Sequence, residues 1–79
     1  MQLHITYYAS LREKRGTGHE TIDVESPSLR DLYRTLTDRY RFGYGEDHIR
    51  PAVNDEFARW DRPLCDGDRI VFVPPVSGG

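Results

Sequence analysis

The hydrophobic period of this chain changes twice, and those changes restrict how its layers can pack. Leu3, Ile5 and Tyr7 alternate with His4, Thr6 and Tyr8, a period of two that gives a strand one apolar face. Glu20 to Glu25 alternates again, with Ile22 and Val24 inward and Thr21 and Asp23 outward. After Ser26-Pro27-Ser28 the spacing becomes helical, and Leu29, Leu32, Tyr33, Leu36 and Tyr40 fall on one face. Ile49 to Val53 then reads as a short strand, and Ile70-Val71-Phe72-Val73 as a last one, β-branched and aromatic between turn residues. A single amphipathic helix between strands has one stripe to bury, and the apolar face of a sheet buries it. The expected class is α+β: a mixed sheet in the order β-β-α-β-(β)-β, with one main helix packed on one face.

Local signals set the boundaries. Gly16-Thr17-Gly18 makes a turn, and the two strands flanking it are expected to be antiparallel. Ala9 to Lys14 lies between them without an assigned element. Ser28 with Asp31 three residues on is a variant of the capping box. The helix should end near Arg39–Arg41, before Gly43. Tyr40 to Asp47, "YRFGYGED", matches no motif. Asn54-Asp55 is a turn candidate, Glu56 to Ala58 a short return, and Arg59 to Pro63 a polar loop holding Trp60. Leu64 is expected in a core made of Leu3, Ile5, Ile22, Val24, Leu29, Leu32, Leu36, Ile70 and Phe72. Tyr8, Val71, Val73 and Phe57 then share the opposite face, and an apolar patch there marks a partner surface.

Composition excludes several functions. Seventy-nine residues make one small domain, 1–79, with no internal boundary. The net charge is −2 and the basic residues are scattered, which argues against nucleic acid. One cysteine, Cys65, forms no internal disulfide and fits a reducing cytoplasm. Without a neighbouring His or Lys, Cys65 is expected to be a partly buried, inert thiol. No apolar stretch is long enough for a bilayer, and because Met1-Gln2-Leu3 enters the first strand directly no signal peptide is expected. His4, His19 and His48 lack metal-ligand spacing, so no metal is expected. There is no Gly-rich phosphate loop, so no bound cofactor is expected either.

The last residues carry the chemistry. Pro74 and Pro75 cannot donate to a sheet ladder, so the strand stops there. Residues 74–79 are expected to form a flexible tail, Pro74-Pro75-Val76-Ser77-Gly78-Gly79. Gly78 and Gly79 have no Cβ, so the tip can thread a channel too narrow for other residues. A free Gly79 carboxylate would be a chemical handle.

"DGDRIVFVPPVSGG" (Asp66 to Gly79) resembles the C-terminus of the small subunits of molybdopterin synthase, a ubiquitin-like sulfur-carrier family. "YYASLRE" (Tyr7 to Glu13), "PAVNDEF" (Pro51 to Phe57) and "PLC" before the Asp-Gly-Asp turn extend the likeness over nearly the whole chain. The resemblance implies a β-grasp fold, with the first and last strands side by side at the centre of the sheet. It implies that a ubiquitin-activating-like adenylyltransferase uses ATP in trans to adenylylate Gly79. A sulfur donor protein or sulfide then leaves a thiocarboxylate there. It implies that Tyr8, Phe57 and Val73 contact the synthase large subunit and the activating enzyme; Arg12 is expected to add a polar contact at the rim. Pro74, Pro75, Val76 and Ser77 would lead Gly78 and Gly79 into the large subunit. That subunit holds the active-site pocket, so the small one is a non-catalytic sulfur donor in a heterotetramer, monomeric when free. Sulfur delivery to thiamine thiazole or to tRNA, and attachment to substrate lysines as a protein modifier, are the alternatives.

Overall fold

The computed structural model describes residues 1–25 and 28–75. In chain order the elements are β1 (Gln2–Tyr7), α1 (Ala9–Arg15), β2 (His19–Asp23), α2 (Leu29–Tyr40), a 3-10 turn (Glu46–His48), β3 (Arg50–Val53), β4 (Glu56–Phe57) and β5 (Arg69–Val73). The strands form one sheet in the order β2-β1-β5-β3-β4. β1 and β5 run parallel at its centre, with Ile5 opposite Ile70 and Tyr7 opposite Phe72. The other neighbours are antiparallel. This is the β-grasp arrangement that the resemblance implies.

The period-two readings hold at the centre of the sheet. Leu3, Ile5 and Tyr7 are buried while Gln2 and His4 are exposed. Ile70 and Phe72 are buried while Val71 and Val73 are half-buried on the other face. Ile22 and Val24, expected in the core, are only half-buried. β2 is an edge strand, so one flank of each side chain has no neighbouring strand to cover it.

α2 forms where the spacing and the cap place it. The Asp31 N–H donates to the Ser28 Oγ at 3.0 Å. Arg41, in the left-handed region at φ 56°, closes the helix with an N–H to the Thr37 carbonyl. Leu29, Leu32, Tyr33 and Leu36 face the sheet. The unplaced "YRFGYGED" stretch extends the same core. Phe42 is fully buried, with its ring 6.3 Å from Tyr33 and 5.8 Å from Tyr7. Trp60 packs 5.3 Å from Tyr33 and stacks at 6.1 Å on Phe72. Its Nε1–H donates to the Glu46 carbonyl at 3.2 Å. Trp60 therefore anchors its loop to the core.

The segment Ala9–Arg15 is a helix, α1, that the sequence left unassigned. It has one buried residue, Leu11, and no side-chain cap at Tyr8. Gly16, at φ 86°, ends it with an N–H to the Arg12 carbonyl. A polar network fastens it to the rest. The Tyr7 hydroxyl donates to Glu20 Oε1 at 2.8 Å, and Arg15 Nε donates to Glu20 Oε2 at 2.8 Å. The Arg15 guanidinium also lies 4.3 Å from the Tyr40 ring centre. Burial first, and then the bond to the Glu20 carboxylate, push the Tyr7 hydroxyl well above the ordinary phenol range.

Candidate functional site

β5 ends at Val73 because Pro74 and Pro75 cannot extend the ladder. Pro74 is buried and Pro75 is exposed. Val76, Ser77, Gly78 and Gly79 lie outside the described residues. Two shallow depressions meet at the prolines. One, of about 520 Å³, is lined by Tyr8, Ala9, Ser10, Tyr44 and Val73. The other, of about 430 Å³, is lined by Asp47, His48, Arg50, Phe57 and Val73. The structure thus gathers Tyr8, Phe57, Val73, Pro74 and Pro75 at the base of the tail. Tyr8 is 54% exposed and Phe57 61%, and they are the exposed large hydrophobic residues among those described.

Backbone geometry explains this convergence. Tyr8 follows the buried Tyr7 in extended conformation, φ −120° and ψ 155°, so alternation turns it outward. Phe57 pairs with Ala52, and Val73 pairs with Arg50. The Arg50 guanidinium covers the Phe57 ring at 4.1 Å, a cation–π contact that holds both side chains on the open face. Arg12 lines neither depression. It lies against Gly18, where its Nε would be 3.2 Å from an added Cβ.

Three residues at the tail base were not picked out from the sequence. Ser10 Oγ and the Tyr44 hydroxyl lie 3.1 Å apart. The Tyr33 hydroxyl donates to the Tyr44 carbonyl at 2.7 Å. Tyr44 thereby ties the start of α1 to the loop after α2, beside Pro74. The aromatic alternation Tyr40, Phe42, Tyr44 was the available signal. Arg50 had none, since its role depends on strand register.

The opposite end of β5 is built differently. Asp68 is a buried charged side chain. Its Oδ2 accepts from the Cys65 N–H at 2.8 Å and its Oδ1 from the Asn54 side-chain amide at 2.9 Å. Asn54 Oδ1 accepts from the Arg69 N–H at 3.0 Å. Burial raises the Asp68 carboxyl, but these donors outweigh it and hold the group below the usual carboxylate range. Asn54 and Asp55 make the β3–β4 turn with positive φ, 52° and 72°, conformations that Asn and Asp tolerate. The "AVNDE" and "DGD" segments are therefore two halves of one clasp. Cys65, beside this clasp, is exposed rather than partly buried, because the tight turn directs its backbone, not its side chain, into the protein.

Chemically, the tail base is an exposed apolar rim. Among the described residues no group of three or more His, Cys, Asp or Glu could hold a metal ion. Among them, too, no helix is long and apolar enough to cross a membrane.

A parallel central pair, one long helix and a proline-stopped last strand beside an exposed aromatic rim define a ubiquitin-like β-grasp module. Residues 5–79 match the family model described as the ThiS family, and the chain belongs to that family. The molybdopterin synthase sulfur carrier subunit of Escherichia coli (strain K12) is 30% identical over 80 residues, covering 98% of this chain and 99% of that protein. SAMP1 from Haloferax volcanii has the same fold at a TM-score of 0.81 and 26% identity, covering 100% of both chains. A chain of the complex between subunits 1 and 2 of molybdopterin-converting factor from Helicobacter pylori 26695 shares it at a TM-score of 0.70 and 24% identity, again over 100% of both.

Proposed function

We propose that this protein is the sulfur carrier subunit of a molybdopterin synthase. The observation that carries this reading is that the family match runs through Gly79, while the described chain leads to that tail from between Tyr8 and Phe57. Residues 74–79 act as the delivery tail. An oxygen of the Gly79 carboxylate attacks the α-phosphorus of ATP bound to a separate adenylyltransferase, releasing pyrophosphate. A carboxylate is a poor acyl donor, whereas AMP is a good leaving group. Hydrosulfide then attacks the acyl carbon and expels AMP, leaving a C-terminal thiocarboxylate. With a donor protein's persulfide, an acyl disulfide forms instead, and a thiol reduces its S–S bond while becoming a disulfide itself.

The thiocarboxylate sulfur is the nucleophile delivered to the partner. The large synthase subunit docks on Tyr8, Phe57 and Val73, admits the tail, and supplies the pocket and the acid–base groups. Two sulfurs, delivered in successive visits, convert cyclic pyranopterin monophosphate into the dithiolene of molybdopterin. The working form is a complex with the large subunit, in the cytoplasm, and this chain itself binds no cofactor. The name of the Escherichia coli relative, a synthase subunit that carries sulfur, supports the assignment.

The likeness to SAMP1, a small archaeal modifier protein, favours a second reading. The same adenylate, attacked by a lysine amine instead of sulfide, gives an isopeptide bond. The test is intact mass after incubation with the cognate activating enzyme, ATP and sulfide. The expected result is exchange of one oxygen for sulfur at the C-terminal peptide. An unchanged mass with a competent activating enzyme overturns the sulfur-carrier reading.

A further inference from the structure

Among the described residues the sheet has one edge that is neither short nor covered by a ladder. β4, at one side, has two residues. β2, at the other, has five, His19–Asp23, with no Pro or Lys among them. The Val24 N–H donates to the Met1 carbonyl at 2.9 Å and the Tyr7 N–H to the Gly18 carbonyl at 2.8 Å. With Leu3 opposite Ile22 and Ile5 opposite Glu20, the antiparallel ladder turns the even-numbered residues of β2 toward β1. The N–H and C=O of Thr21 and Asp23 then face outward, as does the N–H of His19. The His19 carbonyl accepts from the Thr17 hydroxyl at 3.2 Å. Such an edge is a template for one more strand.

Beside this edge runs a groove of about 400 Å³ between β2 and α2. Ile22, Val24, Leu32 and Leu36 give it apolar walls, Asp31 stands at one end and Arg39 at the other; the Asp23 carboxylate alternates to the opposite face and pairs with the N-terminal amine at 3.3 Å. Glu20 also borders it but is already engaged by Arg15 and Tyr7. Asp31 and Arg39 are eight helical residues apart, about 12 Å. Roughly four residues of extended chain span that distance, enough to place two alternate side chains in the groove.

We propose that the edge of β2 takes an extended peptide segment of a partner protein as a sixth strand, its aliphatic side chains seated at alternate positions between Ile22 and Leu36 and a Lys or Arg beside Asp31. A second copy of this chain fits the groove less well. The flank of its α2 that would arrive there carries Asp31, Thr35 and Arg39, all exposed and polar. The groove lies on the helix side of the sheet, and β1 separates β2 from β5. A bound segment therefore leaves Tyr8, Val73 and Phe57 uncovered, so a partner can hold the carrier while its tail is engaged elsewhere.

The probe is the synthetic peptide acetyl-Lys-Arg-Val-Thr-Ile-Thr-Val-Ser-amide, titrated into the ¹⁵N-labelled protein. The expected result is saturable shifts at Thr21, Ile22, Asp23 and Leu36, with the Thr21 and Asp23 amides protected from hydrogen exchange. Thr21→Pro, which removes an outward N–H together with the hydroxyl contact to His4, should abolish binding. Asp31→Lys should weaken it about tenfold and restore it for a peptide beginning Glu-Asp; this pair serves should Thr21→Pro fail to fold. Absence of shifts at β2, or equal binding by wild type and Asp31→Lys, overturns the proposal. So do β2 shifts that grow with protein concentration in the absence of peptide, which would assign the edge to a second copy.

Discussion

The two ends of β5, a strand of five residues, are built from opposite materials. At the Arg69 end, Asn54 and Asp68 bind each other and the backbone of Cys65 and Arg69. At the Val73 end, two prolines, an exposed tyrosine and an exposed phenylalanine surround the departing chain. The first end satisfies buried polar groups and so fixes the register of three strands. The second leaves apolar surface in water, a cost that the proposed docking of a partner would remove. The motifs of this chain thus divide between holding the strand and presenting the tail.

Phe72→Ala should erase the distinction, because Phe72 is fully buried between the two ends. We expect a loss of about 3–5 kcal/mol in denaturant unfolding. Near-native stability would mean that the core does not run through β5. Val73→Asp should separate the ends. Affinity for the large subunit, read by calorimetry, should fall by about 2 kcal/mol or more, since docking would have to desolvate the new carboxylate. The melting temperature should stay close to that of the wild type. An unfolded variant, or one that binds normally, places Val73 on the wrong surface.

Asp68→Asn should act in the converse way, lowering stability by about 1–2 kcal/mol at neutral pH while sparing partner affinity. Its pH dependence has a definite sign. The folded carboxyl titrates below its unfolded value. Its contribution is therefore complete above the ordinary carboxylate range and is lost as the pH falls toward the lowered folded value. The stability gap between wild type and Asp68→Asn should narrow on acidification, and a gap that stays constant would show that charge plays no part in the clasp. Ser28→Ala, far from either end, should cost about 1 kcal/mol through its lost helix cap and leave binding and acid response unchanged. A shift in partner affinity in that variant would show that α2 and the tail base are coupled.

The regular elements were legible because each has a period. The alternation of Leu3, Ile5 and Tyr7 and the helical stripe from Leu29 to Tyr40 led directly to β1 and α2. α1 was not legible, since seven residues with one buried side chain and no capping side chain leave no periodic trace. The burial of Phe42 and Trp60 follows from aromatic contacts that bring distant segments together, which local pattern does not encode. At the site, Tyr8, Phe57 and Val73 were found by face and by resemblance. Ser10, Tyr44 and Arg50 join them only through the tertiary fold. Arg12 was expected at the rim, but the turn of α1 carries it toward Gly18.

The division of labour along β5 is tested most directly by deleting Gly79. Full-length and shortened protein would each be given the activating enzyme, ATP, sulfide, the large subunit and the pterin precursor, and dithiolene formation followed beside a thermal melt. The expected result is an unchanged melt, because Gly79 has no side chain to bury, with product made by the full-length chain alone. Dithiolene formed at the normal rate by the shortened chain, or a melt that collapses with the deletion, would contradict it.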